Sequence, residues 1–281
     1  MKKYIYLLAL ITSFATAQTA RVLIVGDSWA DQQFTDGIHD QVFSNNGHAD
    51  IIVANSSTVA ISGTTAADWI APSQLQVIAD AISANPDVDI VQLTIGGNDF
   101  LNAWSITMTQ AQEDALKQQI VTDLNTIVNH ILAQRPNIEV ILSFYDYPNF
   151  VDTISGLGGT TCNNLYNDLG QPTVTELNTV GGVFETAYSQ IASEHGRVYH
   201  VSHFGLMQSF YGFPAQNINP GDILPPGDLS LPSPIEAMRL HAFSIRDCFH
   251  LTPQGYTYLI QDVYDGYFAA KFDSIYRNSM E

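Results

Sequence analysis

Four short stretches of the chain concentrate residue types that can do chemistry: Gly26-Asp27-Ser28-Trp29, Gly63 within Ile61-Ser62-Gly63-Thr64-Thr65, Gly96-Gly97-Asn98-Asp99, and Asp247-Cys248-Phe249-His250. A serine hydroxyl is a poor nucleophile until a base takes its proton. His250 can be that base, because an ordinary imidazole pKa of about 6.5 leaves it mostly neutral near pH 7. Asp247 stands three residues earlier, so one turn puts both side chains on the same side. Its carboxylate can then accept from the imidazole N–H, fix the tautomer and stabilise the imidazolium. A tetrahedral oxyanion needs donors, and the backbone N–H groups of Ser28 and Gly63 with the side-chain amide of Asn98 can supply three. Gly63 lets backbone approach closely, and Gly96-Gly97 permit the sharp turn that aims Asn98.

Distant stretches act together only if a scaffold gathers them. Apolar runs at Val22–Val25, Ile51–Ala54, Val88–Ile95, Glu139–Phe144 and Val198–Val201 alternate with helical periodicity, the pattern of a parallel sheet covered by helices. Their near-continuous apolarity suits strands buried on both faces. Leu116, Ile120, Leu124, Ile127 and Ile131 recur at three- and four-residue steps, so a helix is predicted over about 111–134, ended by Pro136. Further helices are predicted near 30–45, 66–84, 174–194 and 253–272. Two stretches break the rhythm: 146–172, rich in Gly and Asn, and 205–235, with six prolines from Pro214 to Pro234. Both are read as long loops, with a rim or lid of the site as the functional expectation and a surface decoration as the alternative. Loops leaving the carboxyl ends of parallel strands surround one crevice, where the four stretches would meet.

Taken with their order, the blocks Gly26-Asp27-Ser28, Gly63, Gly97-Asn98-Asp99 and Asp247-x-x-His250 resemble the SGNH superfamily of GDSL esterases and lipases. The resemblance spans nearly all of the chain after its first residues. It implies a three-layer α/β/α sandwich with a five-stranded parallel sheet, flavodoxin-like in class. It also implies ester hydrolysis without metal or cofactor, a Ser28–His250–Asp247 triad, and an oxyanion hole from Ser28, Gly63 and Asn98. Trp29 stands where the family name has leucine, a change that alters pocket shape and leaves the nucleophile in place. Within the family the first expectation is a lipid or simple carboxylic ester as substrate. A carbohydrate O-acetylesterase is the alternative, and a non-catalytic binding module that keeps the fold is a third reading.

Bulk properties bound the rest. Lys2 and Lys3 precede the apolar stretch Tyr4 to Phe14, followed by Ala15-Thr16-Ala17: the order of a secretory signal peptide. Residues 1–17 are therefore expected to be a cleaved leader and 18–281 a single hydrolase domain, secreted or periplasmic. No later run reaches the roughly 20 apolar residues of a membrane span, so no stable membrane anchor is expected. Acids number 28 and bases 10, a formal charge of −18, which repels phosphate backbones and argues against nucleic-acid partners. The partner expected is a small-molecule or lipid ester, and the oligomeric state stays open. Cys162 and Cys248 are the only cysteines, and in an oxidising compartment they are read as a disulfide, with two separate thiols as the alternative.

Blander roles compete at several positions. A lone Gly-x-Ser after a strand reads first as a helix N-cap; the other three blocks shift Ser28 to nucleophile. A second Asp-x-x-His, Asp36 to His39, falls inside the first predicted helix and is read as surface. His200 and His203 form a weak metal signal and are read as structural. Asp99 is read as a turn-fixing acceptor. Trp29, Phe100 and Trp104 could wall the acyl or alcohol pocket, but large aromatics are more often core, so they are not assigned to the site. The Gly-x-Ser-x-Gly elbow of α/β-hydrolases and the Gly-x-Gly-x-x-Gly fingerprint of dinucleotide binders are both missing from the first block.

Overall fold

All five apolar runs become strands of one parallel sheet, in a computed structural model that describes residues 18–154, 160–241 and 245–278. The strands are β1 (Thr19–Gly26), β2 (Ile51–Val53), β3 (Ile90–Thr94), β4 (Glu139–Ser143) and β5 (Val198–Val201), in the order β2-β1-β3-β4-β5. Helices cover both faces, giving the expected three-layer α/β/α sandwich. Alternate residues feed the two cores. Leu23, Val25, Val91, Leu93, Val140 and Leu142 pack under helices Pro72–Ala84, Gln110–Gln134 and Val174–Glu194. Val22, Ile90 and Ile141 face the opposite layer with Phe43, Tyr256 and Phe268. Such two-sided burial is why the strands read as near-continuous apolar runs.

The helix Gln110–Gln134 begins at Thr109 with a Thr109/Gln112 capping box, and Val174–Glu194 begins at Thr173 with a Thr173/Glu176 box; each satisfies N-terminal N–H groups the ladder leaves open. The helix expected over 30–45 is two, Ser28–Thr35 and Ile38–Asn45, broken at Gly37 with φ of +64°. The one expected over 66–84 divides into Ala66–Trp69 and Pro72–Ala84, since a proline starts the second. That over 253–272 runs as Pro253–Val263, a π-turn Tyr264–Phe268 and Ala269–Asn278.

The stretch 146–172 carries two short helices, Phe150–Thr153 and Thr160–Asp168; the Asn149 side chain caps the first by accepting from the Asp152 N–H at 3.0 Å. Residues 205–235 open with helix Leu206–Tyr211 and the 3-10 turn Pro214–Gln216. A second, antiparallel pair, β6 (Met238–Leu240) with β7 (Arg246–Leu251), has no counterpart in the sequence reading. The expected leader, residues 1–17, lies outside the described residues. Among the described residues no helix is long and apolar enough to cross a membrane.

Candidate active site

Gly26 ends β1 so close to β3 that a Cβ there would sit 1.9 Å from the Thr94 carbonyl oxygen; its φ is +144°. The Asp27 N–H donates to the same carbonyl at 3.0 Å. This is the switch point of the sheet, where connections leave β1 and β3 in opposite directions and open a crevice. Ser28 is the first residue of its helix, and Asp27, not Ser28, is the N-cap, its Oδ1 accepting from the Trp29 N–H at 3.0 Å. The serine hydroxyl is thereby free for another partner.

That partner comes from the far end of the chain. His250 Nε2 lies 2.7 Å from Ser28 Oγ, and His250 Nδ1 lies 2.8 Å from Asp247 Oδ2. With Nδ1–H donating to the carboxylate, Nε2 is left to accept the serine proton. The sequence reading placed Asp247 and His250 on a simple turn; they lie on β7. What brings them to one side is the carboxylate itself: Asp247 Oδ1 curls back to accept from the N–H groups of Phe249 and His250, each at 2.9 Å. Burial pushes the Asp247 carboxyl up, but the His250 hydrogen bond and charge and these two N–H groups outweigh it and hold it well below the usual carboxylate range. An exposed second imidazole, His241, approaches the same Oδ2 through Nε2 at 3.1 Å. Sequence reasoning missed it, because only the β6–β7 pairing brings it there.

Two covalent and polar ties hold β7 in place. Cys248 is bonded to Cys162 of helix Thr160–Asp168. The Trp29 indole N–H donates to the Phe249 carbonyl at 3.1 Å. Among the described residues, Cys162, Cys248 and Asp247 form a cluster of potential metal ligands, but its two sulfurs are spent on each other.

Asn98 stands in the first turn of helix Gly97–Ala103, which starts at Gly96 with φ of +107°. One N–H of its amide donates to the Thr64 carbonyl at 2.8 Å, which orients the group and leaves the second N–H available. Asp99 accepts from the Ala66 and Ala67 N–H groups at 2.7 and 3.3 Å, the fixing role read for it. Gly63 has φ of +84° with open space where a Cβ would be. Its neighbours anchor that loop: Ile61 N–H donates to the Gly26 carbonyl at 2.9 Å and the Ser62 hydroxyl to Asp31 Oδ2 at 2.5 Å.

One more link escaped the sequence reading. The Tyr145 hydroxyl accepts from the Gly97 N–H at 3.0 Å and donates to Asp27 Oδ2 at 2.5 Å. Burial pushes the Asp27 carboxyl up to about 6, against the lowering effect of the Tyr145 and Trp29 hydrogen bonds.

Of the remaining candidates, Asp36 is exposed and paired with Arg239. His39 is not a surface residue: it is buried under the sheet, its Nε2 2.8 Å from Gln92 Oε1, and burial pushes its pKa down to about 4. The helix break at Gly37 turns its ring inward, which periodicity over one continuous helix could not foresee. His200 pairs with Glu185 at 2.5 Å and His203 with Ser143 at 2.6 Å, both structural. Trp104 is buried with its N–H on Glu113. Trp29 and Phe100 do line a cavity, open to solvent, whose walls also include Ser28, Asn98, Gly181 and Phe184.

Comparison with known proteins adds a sequence-level match. Residues 24–258 match the GDSL-like lipase/acylhydrolase family. No curated protein matches the chain. Among solved structures, a candidate platelet activating factor from Streptococcus pneumonia superposes with a TM-score of 0.54 at 16% identity, over 88% of this chain and 83% of that one; this is a likeness of fold. A carbohydrate esterase family 3 protein from Talaromyces cellulolyticus gives 0.49 at 14% identity over 91% and 99%. An extracellular lipase from Streptomyces rimosus gives 0.48 at 15% identity over 88% and 99%.

Proposed function

The chain belongs to the GDSL-like lipase/acylhydrolase family, and from that premise we propose that it is an exported serine ester hydrolase working through an acyl-enzyme. The observation that carries the reading is the 2.7 Å approach of His250 Nε2 to Ser28 Oγ, with Asp247 2.8 Å behind the imidazole. Ser28 Oγ attacks the ester carbonyl carbon while Nε2 takes the hydroxyl proton. Asp247, kept ionised, holds the ring and stabilises the imidazolium. The carbonyl oxygen becomes an oxyanion, met by the Ser28 and Gly63 N–H groups and the free N–H of Asn98. As the carbon–oxygen bond to the alcohol breaks, imidazolium returns the proton to the departing oxygen. Water, deprotonated by His250, then adds to the acyl-enzyme, and the acid leaves with Ser28 regenerated.

Export is supported by the charged, apolar and A-x-A order of residues 1–17 and by a disulfide suited to an oxidising compartment. A substrate panel of p-nitrophenyl esters on the wild type, beside Ser28→Ala, tests the catalytic reading. Turnover and fluorophosphonate labelling should both be lost in the variant; retained activity would refute the assignment. Ligand binding unaffected by that substitution, with an unlabelled wild type, would favour the binding-module reading instead.

A further inference from the structure

We propose that the cavity beside Ser28 is an acyl pocket for straight apolar chains longer than acetyl, kept open by Gly181; the inference rests on the ester-hydrolase reading above. Three observations converge on it. The first is the lining: beyond Ser28 and Asn98 the walls are chiefly Phe100, Leu101, Phe144, Leu177, Phe184 and Phe204, surfaces that reward apolar burial.

The second is that polar groups in the walls are already engaged. Asp146 accepts from the N–H groups of Tyr147, Gly205 and Met207 at 2.7–2.8 Å. The Tyr147 hydroxyl donates to the Pro226 carbonyl and the Tyr188 hydroxyl to the Ile95 carbonyl. The Asn178 amide donates to the carbonyls of Leu229 and Leu231; its Oδ1 is the exception, buried without a hydrogen-bond partner. A sugar ring entering here would lose its water partners and find few in exchange.

The third concerns which half of the ester enters. The alcohol must leave beside His250, which protonates it, and His250 is not among the residues that line the cavity. The half that stays bonded to Ser28 is the acyl group.

Gly181 sets the width. It sits inside helix Val174–Glu194, where glycine is a poor helix former, and a Cβ there would come 3.1 Å from Phe204 Cζ. Phe204 cannot easily retreat: it stacks on Tyr147 at 4.5 Å and meets Phe144 edge-on at 5.2 Å. The neighbouring Gly182 faces open space and makes no such contact.

The experiment measures kcat/KM for p-nitrophenyl acetate through hexanoate and for an acetylated xylan, on wild type, Gly181→Val and Gly182→Ala. Wild type should gain about fourfold for each added methylene, the worth of burying one such group. Gly181→Val should lower the hexanoate-to-acetate ratio at least tenfold, while Gly182→Ala keeps it. Acetate turnover with no gain along the series, or preference for the acetylated xylan, overturns the pocket inference and leaves the hydrolase reading standing. Failure on every ester, with Ser28 unlabelled by fluorophosphonate, overturns both. Should Gly181→Val fold poorly, Gly181→Ala gives a milder test: an unchanged ratio there, with a flat wild-type series, counts against the pocket.

Discussion

The Tyr145 hydroxyl lies 2.5 Å from Asp27 Oδ2 and 3.0 Å from the Gly97 nitrogen, so one side chain off the end of β4 joins the turn bearing Ser28 to the turn bearing Asn98. Nucleophile and oxyanion donor come from different strands, and this bridge sets their spacing. Tyr145→Phe keeps the ring but removes the hydroxyl that serves both turns. Leaving the buried Asp27 carboxylate short of a donor should cost about 1–3 kcal/mol in denaturant unfolding. Ester kinetics should show kcat falling about tenfold with KM little changed; wild-type kcat would mean the turns hold their spacing unaided.

Asn98 is oriented by Thr64 before any substrate arrives, so its free N–H meets the oxyanion without reorganisation. Asn98→Ala should therefore lower kcat by about 10²–10³ with a much smaller change in KM. A loss confined to KM would assign the amide to ground-state binding. Steady-state kinetics on one p-nitrophenyl ester separates the two outcomes.

Cys248 is adjacent to Asp247, and its bond to Cys162 spans 86 residues of sequence. Removing the bridge frees the denatured chain and loosens β7. The double variant Cys162→Ser, Cys248→Ser should lose about 2–4 kcal/mol of stability, seen as a lower Tm in calorimetry. Reductant should lower the wild-type Tm toward the variant's and leave the variant's own Tm unmoved. Equal melting of both proteins without reductant would contradict a stabilising bridge.

His39 offers a pH test. Its pKa is about 4 in the folded protein against about 6.5 when exposed. Between those values the unfolded chain binds the proton more readily, so this group's contribution to stability is present above pH 6.5 and is lost as pH falls toward 4. His203, pushed down to about 3 by burial, acts in the same direction; Asp27, pushed up to about 6, acts oppositely. Comparing a single variant with wild type isolates the one group. His39→Gln cannot take the proton, so its Tm relative to wild type should rise as pH is lowered from about 7.5 to 4.5. A constant difference across that range would show that folding does not shift the pKa of His39.

Much of the scaffold was legible in the chain itself. Five apolar runs became five parallel strands because burial on both faces favours apolar side chains at most positions, a signal local sequence carries. The helices Gln110–Gln134 and Val174–Glu194 fell within a residue of their predicted bounds, since their stripes and caps are also local. Helix breaks at Gly37 and Pro72 were visible as residues but not weighted, and with the first of these went the burial of His39. Ser28, Asn98, Asp247 and His250 stood out because their types match one chemistry and their blocks follow successive strands.

The amino-acid order alone determined which side chains were available for that chemistry and the sheet they would stand on, because residue type and periodicity are local properties. Only the tertiary structure decided that Asp27 caps the helix and so frees the Ser28 hydroxyl. It alone shaped Asp247 into a strand-borne turn and brought in Tyr145 and His241. It also set Gly181 against Phe204 in the cavity wall. The Tyr145 bridge and the wall at Gly181 and Phe204 rest on contacts between residues tens to more than a hundred positions apart, which exist only once the sheet has closed and its helices have packed. The Asp27 cap and the Asp247 turn span two or three residues, but the strand and helix bounds that set them come from that same packing.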